Sequence, residues 1–446
     1  MSTSKEAKKR LQYKEKNNRS KIWPIVLAIF GGAVIVAGSI VLTGYLFCNK
    51  NPTPPSPVEK NYTIKTDGTD EYFNVNDDTQ SLTGWKIGGE TGESDKDFYA
   101  EKYTGLIIPT GITSISQNAF NGCISFRDSN QPIKLDFHLS PSFTSIGGNA
   151  FWDCVGITSV DFSGNDASTT ITSIGAYAFY GCKLSNVTSG AGITEITPSN
   201  KSWGDDFHVF GLSTFVPNLD YTKVPLYASG CGCLVYGTFA PTGSATTSVC
   251  SDAFSGCGGI TAVDFSNLTG AGKINIGDSA FASCLLSDIV PGAGIDDRTP
   301  NGWGSLHIFC LETFVPDYTN DAISLSNSGC GCLVYGTFAP TDATTSIGSY
   351  AFYHCAGITA VDFSHYTLSS IGEQAFVQCL GIHSYTFAST QKYDSDFTIG
   401  SYAFLCCASS GKIICNNCCV STNLLSEMIA HSSSWMMAGY WTTAIS

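Results

Sequence analysis

The chain has 446 residues, of which only 13% are charged, with 46 Gly, 27 Phe and 19 Cys and a formal net charge of -14. That composition suits many short extended segments joined by tight turns and speaks against a helical or Rossmann-type enzyme. Basic residues cluster only at the start, so the acidic remainder lacks the Lys/Arg patches that phosphate binding needs, and nucleic acid is not an expected partner.

Residues 1–21 carry Lys5, Lys8, Lys9, Arg10, Lys14, Lys16, Arg19 and Lys21 against Glu6 and Glu15, a net of +6, which leaves -20 on the rest. Ile22 to Phe47 is an uncharged, mostly apolar run of 26 residues, longer than the roughly 20 needed to cross a bilayer. It predicts one transmembrane α-helix over 22–47. The basic cluster before it places 1–21 as a cytoplasmic tail and everything after it outside, so the expectation is a single-pass cell-membrane protein with its bulk extracellular. A cleaved signal peptide has a shorter apolar core and a small-residue cleavage site, which is missing here. Cys48 is open to two readings, a lipid acceptor or an ordinary juxtamembrane Cys, and bulky Tyr45, Leu46 and Phe47 favour the second. Residues 48–60, with Pro52, Pro54, Pro55 and Pro57, read as an extended stalk. Residues 61–104 are acidic and polar and read as a weakly structured lead-in that caps the first coil.

From residue 105 the chain repeats itself. A motif with Ile or Val, then Ala-Phe, then Cys three residues after the Phe recurs at Phe120, Phe151, Phe179, Phe254, Phe281, Phe352, Phe376 and Phe404. The intervals are 31, 28, 75, 27, 71, 24 and 28 residues, and the short ones match or slightly exceed the period of leucine-rich repeats. Two extended intervals, 183–246 and 285–343, hold Phe215 then Phe239, and Phe314 then Phe338, each pair 24 apart. This spacing predicts two degenerate coils in each interval. A larger duplication aligns 178–266 with 280–364 through GAGI, Trp203/Trp303, TFVP and GCGCLVYGTFAPT. After several motifs comes GIT(S/A)VDFS, whose alternation marks a half-buried strand with Val160, Val263, Val361, Phe162, Phe265 and Phe363 inward.

These units resemble the BspA-like (Treponema pallidum type) family of leucine-rich repeats, whose consensus is similar to L-x-x-I-x-x-x-A-F-x-x-C-x-x-L, over roughly 105–411. The long intervals, the extra cysteines and the missing Pro after most strands depart from that pattern. The resemblance implies a leucine-rich-repeat solenoid of short parallel strands and turns. It implies that 412–446 is a C-terminal cap, a last strand and a short helix. It also implies an extracellular adhesion or recognition protein. The motif makes physical sense by itself, because one coil cannot bury its apolar face without neighbours on either side.

Eight cysteines share one repeat position: Cys123, Cys154, Cys182, Cys257, Cys284, Cys355, Cys379 and Cys407. There Cys acts as a small buried group whose thiol meets a carbonyl of the neighbouring coil, a structural ladder. Some of the other eleven pair in an exported chain. Cys406, Cys407, Cys415, Cys418 and Cys419 offer zinc-like spacing, but Cys407 belongs to the ladder and Cys415 to an expected strand, so disulfides or thiols are the better reading and no metal or cofactor is expected. The seven His are scattered and no catalytic motif appears. Asp136, Asp161, Asp264 and Asp362 project from LDF or VDF strands and form a candidate binding row for a basic protein patch or a cation; the plainer reading is that they keep the strand face soluble. Trp203 and Trp303 are candidate binding anchors if exposed. The expected function is a surface binding or adhesion protein whose partner is an extracellular protein or host-cell ligand; the alternatives are a structural spacer and, last, an enzyme.

Overall fold

The computed structural model describes residues 60–63, 73–85, 103–122, most of 132–415 and 440–444. The expected tail 1–21, the span 22–47, all of the stalk but Lys60, and Cys123 lie outside the described residues. Among the described residues no α-helix occurs, and no helix is long and apolar enough to cross a membrane. The described chain is a leucine-rich-repeat β-solenoid of about nine turns.

Each regular coil has three parts. First comes a two-residue strand such as Ser114–Ile115, Ser145–Ile146 or Ser173–Ile174, and these pair in parallel from coil to coil. The Ile points into the core, and the next residue lies hard against the coil before: a Cβ on Gly147 or Gly175 would come within 2.3 or 2.2 Å of backbone nitrogens at Gln117 and Gly148. Real Cβ atoms need about 3.4 Å or more, so only glycine fits. Ser116 and Cys250 hold that place where no complete motif coil precedes them.

Second is the Ala-Phe turn. Its backbone bonds the next turn directly, with Phe120 N donating to Ala150 O and Phe151 N to Ala178 O, both at 2.8 Å. Two residues per turn are left-handed, the one before Ala (Asn118 at φ 59°, Asn149 at 54°) and the one before Cys (Gly122 at 63°, Asp153 at 55°). The Phe rings stack, with centroids 5.3 Å apart for both Phe120/Phe151 and Phe151/Phe179. Offset stacking of this kind adds to plain burial.

Third is the longer strand. Tyr103–Ile107, Ile133–Asp136, Ile157–Asp161 and Asn186–Thr188 are hydrogen-bonded in parallel, so that Leu106, Leu135, Val160 and Val187 form one buried row. Val160, Val263, Val361 and the Phe two residues after each are buried, while the Asp between them is half-buried. Period-2 alternation in the sequence therefore translates directly into an inner and an outer face.

The lead-in contributes more core than its polarity suggests. Lys60–Thr63 pairs in parallel with Tyr103–Ile107, and the hairpin Phe73–Asn76/Ser81–Trp85 docks on Ser114–Ile115. Phe73 and Leu82 are buried, with Phe73 edge-on to Phe120 at 6.0 Å. At the other end Tyr440–Ala444 adds a parallel strand to Ser410–Cys415; the segment expected to hold a short helix, 416–439, lies outside the described residues.

The extended intervals do not hold two degenerate coils each. Ile193–Glu195 runs antiparallel to Phe207–Leu212, which runs antiparallel to Val235–Phe239, and only that last strand is parallel to the next coil strand, Gly259–Asp264. The second interval repeats this path with Ile295–Asp297, His307–Leu311, Val334–Phe338 and Ile358–Phe363. Each interval thus holds two parallel coil strands, Asn186–Thr188 and Val235–Phe239 in the first and Asp288–Val290 and Val334–Phe338 in the second, with an antiparallel pair of strands between them. The reversal starts at the shared GAGI, where Gly192 and Gly294 adopt φ of 88° and 89°, a conformation that costs glycine nothing. Phe215 and Phe314, spaced like coil residues, close turns back onto Leu212 and Leu311 and pack partly buried against the core. Phe207, Val209 and Phe210 belong to the same buried cluster as the flanking coils, so the hairpin is not a separate globular insert.

Because the interval coil lacks an Ala-Phe turn, the turn ladder skips across it. Phe179 N donates to Gly232 O at 2.7 Å, but Gly181 N reaches Gly256 O, also at 2.7 Å; in the second block Phe281 N meets Gly331 O and Ser283 N meets His354 O.

Candidate binding surface

Strand alternation puts the four candidate carboxylates on the outer face, and the chain's own groups engage each of them. Asp136 and Asp161 are register partners on adjacent strands. Lys134 Nζ bridges them, 2.9 Å from Asp136 Oδ2 and 2.8 Å from Asp161 Oδ2. Every one of the four also accepts a backbone N–H two residues on: His138 and Ser163 at 3.0 Å, Ser266 and Ser364 at 2.8 Å. That is an Asx turn, which ends the strand. Partial burial works against ionisation of Asp136 and Asp161, but these hydrogen bonds and Lys134 outweigh it and hold both carboxyls below the usual range. Asp264 and Asp362 lie in two other sheets, so the expected row is one bridged pair and two separate carboxylates.

Trp203 and Trp303 do not reach the surface, each being 2% exposed. Trp203 lies among Phe207 and Phe254 at 5.7 and 6.3 Å, and Trp303 against Phe338 and Phe352 at 5.1 and 6.2 Å. Their indoles seat each hairpin on the solenoid, so the condition of exposure on which their reading as binding anchors rested is not met. Burial of a large ring is what lets a short hairpin share the coil core.

The hairpins instead expose a feature absent from the expected sites. His208 and Tyr236 are cross-strand partners with rings stacked at 4.7 Å, Phe210 lies beyond at 6.1 Å, and His208 Nδ1 sits 2.8 Å from Glu195 Oε1. The second block rebuilds it with His307 and Tyr335 at 5.0 Å, Phe309 at 6.2 Å and Asp297 Oδ2 at 2.8 Å. The two imidazoles are 32% and 42% exposed. Partial burial and then the nearby carboxylates, Glu195 for Tyr236 and Asp288 and Asp297 for Tyr335, push both phenols up. The duplicated His208 and His307 were visible in the sequence. That a Tyr and a carboxylate stand beside each is a result of the strand reversal alone.

On the turn side the thiols of Cys154, Cys182, Cys284, Cys379 and Cys407 donate to the carbonyls of Phe120, Phe151, Phe254, Phe352 and Phe376, one coil back, at 3.0–3.3 Å. Cys310 and Cys330 form a disulfide with Cα atoms 4.1 Å apart. Of the cysteines weighed for zinc, Cys406, Cys418 and Cys419 lie outside the described residues.

The turns also bring together polar residues that do not recur between coils. Tyr180 OH lies 3.1 Å from Ser283 Oγ, 3.0 Å from Gln378 Oε1 and 3.4 Å from His354 Nδ1, and Ser283 Oγ donates to Gln378 at 3.1 Å. Desolvation pushes the Tyr180 phenol up and lowers His354 to about 3. At neutral pH the phenol keeps its proton and the imidazole is uncharged, so the cluster ties four turns together without presenting an ionised nucleophile or base.

A family model for the BspA type leucine rich repeat region matches residues 94–167, 129–200, 237–298 and 329–431, with six copies. The matched segments cover more than half of the chain, which belongs to the BspA-type leucine-rich-repeat family; the unmatched stretches 201–236 and 299–328 hold most of the two hairpin regions. A leucine rich cell surface protein from Faecalibacterium prausnitzii A2-165 is similar at 16% identity, over 88% of this chain and 96% of that one, with a TM-score of 0.24. A leucine-rich repeat protein from Bacteroides ovatus shares 15% over 83% and 97%, TM-score 0.22, and the pneumococcal vaccine antigen PcpA 13% over 82% and 74%, TM-score 0.19. No curated protein matches the chain.

Proposed function

We propose that this chain is a membrane-anchored surface protein that binds an extracellular protein or a host-cell ligand through the outer face of its solenoid. One observation carries the reading: the same exposed row, a His between a carboxylate and a Tyr, is built twice on the two hairpins. Aromatic rings beside carboxylates suit a partner that offers cationic side chains, and the excess of acidic over basic residues in the chain favours such a partner. The Cys310–Cys330 disulfide agrees with an oxidising, extracellular setting, and the apolar run 22–47 supplies the anchor.

Cells incubated with beads coated in residues 59–446 should retain them. Replacing His208, Tyr236, His307 and Tyr335 by Ala together should cut retention at least tenfold, while Asp264→Asn changes it little. Unchanged retention in the fourfold variant overturns the assignment to these rows. A structural spacer is the second reading. It is favoured by the four strand Asp, each engaged in ending its own strand, and it is the outcome if uncoated and coated beads behave alike.

A further inference from the structure

Two ladder positions depart from the rule that each thiol bonds the Phe carbonyl one coil back. Cys257 and Cys355 follow the interval coils, whose Gly-Cys-Gly-Cys loops replace the Ala-Phe turn, so that Cys233 and Cys332 take the place of the Phe one coil back. A second thiol stands there instead. Cys233 meets Cys257, and Cys332 meets Cys355, thiol to thiol. Cys332 Sγ and Cys355 Sγ lie 3.5 and 3.6 Å from one carbonyl oxygen, that of Tyr353, and Cys233 Sγ lies 3.6 Å from the equivalent oxygen of Ser255. All four cysteines are buried.

The backbone adds an independent sign. Cys233 and Cys332 have φ of 72° and 66°, a left-handed conformation that costs a residue with a Cβ roughly 1 kcal/mol or more and glycine nothing. Glycine surrounds them in the loop, yet both copies place a thiol at the strained position. The neighbouring Cys310–Cys330 bond ties the same loop of the second block to its hairpin.

We propose that Cys233–Cys257 and Cys332–Cys355 are two further disulfides, each closing an interval coil onto the coil after it. The oxidant is a small-molecule disulfide. Two S–H bonds break and one S–S bond forms; the two electrons reduce the oxidant to two thiols, which take up the two protons. The reaction passes through a mixed disulfide after thiolate attack. Burial holds Cys233, Cys332 and Cys355 above the usual thiol range, so thiolate is scarce once the coils have closed, and the bonds form while they assemble or open locally.

The test uses the full chain, unfolded and reduced, then refolded in a mixture of reduced and oxidised glutathione, alkylated with iodoacetamide in denaturant so that every free thiol is reached, and digested without reductant. Mass spectrometry should recover the peptide pairs 233/257 and 332/355 linked, each short of two hydrogens, beside 310/330, with the five carbonyl-bonded ladder cysteines alkylated. Recovery of all four cysteines in alkylated form overturns the proposal. In a Cys257→Ala, Cys355→Ala variant Cys233 and Cys332 should become alkylated while 310/330 stays linked; a link from Cys233 or Cys332 to some other cysteine overturns the pairing. Because the oxidant is added, neither outcome depends on where the chain resides or what it binds.

Discussion

The two extended intervals follow one chain path and differ where side chains close it. In the second, Cys310 and Cys330 are bonded; in the first, Gly211 stands opposite Cys231, and a Cβ on it would lie 3.1 Å from that of Cys231. Gly256 leaves room for the Tyr180 ring, whereas the second block puts His354 at the corresponding turn and small Ala282 where Tyr180 would be. The hairpin path is therefore set by what the copies share: the GAGI reversal, the buried Trp and the left-handed Gly237 and Gly336 at 105° and 106°. The disulfide and the polar cluster are added to a path that exists without them.

The sharpest break is expected where a regular coil is made to resemble an interval. A Cβ on Gly175 would lie 2.2 Å from the nitrogen of Gly148 in the coil before, so Gly175→Ala forces backbones apart and should cost roughly 3 kcal/mol or more. Cys250 holds the same position after the first interval and is half-exposed; Cys250→Ala should cost less than about 1 kcal/mol. Urea unfolding midpoints compare the two, and equal losses would mean that contact with the preceding coil does not explain the glycine.

Next in size is the disulfide itself. It closes a separation of 20 residues, so Cys310→Ala should lower stability by about 3 kcal/mol. Gly211→Cys should transplant the bond into the first block and recover part of that amount, less because the 3.1 Å approach is tighter than the roughly 3.5–4.5 Å a disulfide prefers. Denaturant midpoints with and without reductant decide it: a midpoint of the Gly211→Cys chain that ignores reductant shows that the intervals are not interchangeable at this point.

His354 makes the second block more sensitive to acid than the first, which has Gly256 in its place. Its folded pKa is about 3 against an unfolded value of 6.5. Below pH 6.5 the unfolded chain takes up a proton that the folded chain refuses, so this group's contribution is constant above pH 6.5 and falls towards pH 3, by at most about 1.4 kcal/mol per pH unit. His354→Gln, the residue found at the matching Gln378, should flatten stability against pH over that window. A slope that stays unchanged in the variant assigns acid sensitivity to other groups.

The regular coils were legible because their rules are local. Ile, Ala-Phe and Cys at fixed spacing set the inner face, and the ladder position of Cys182 or Cys379 follows from period alone. The intervals were not, since the spacing of Phe215 and Phe239 imitates a coil while Gly192 turns the chain back, a tertiary event that one-dimensional spacing does not encode. Trp203 fell to the same cause: large rings suit hot spots and hairpin anchors equally, and only the core it enters decides. The cluster of Tyr180, Ser283, His354 and Gln378 joins residues up to 198 apart, and no repeat pattern points to positions defined by their failure to repeat.

The smallest effect concerns that failure to repeat within the turn. The residue before Ala is left-handed in every described motif coil, yet it is Asn at 118 and 149 and Tyr at 177, 350 and 402, with φ of 54–60°. Asn tolerates this conformation through local hydrogen bonding, whereas Tyr does not. Tyr177 is held there by stacking on Tyr227 at 4.5 Å, and Tyr350 accepts a hydrogen bond from Gln374. Tyr402 is 48% exposed. Tyr402→Asn should therefore raise stability by about 0.5–1 kcal/mol, while Tyr177→Asn should lower it through the lost stacking. A rise for both substitutions would mean that backbone strain, not ring contact, governs this position, and the stacking of Tyr177 on Tyr227 would have no energetic weight.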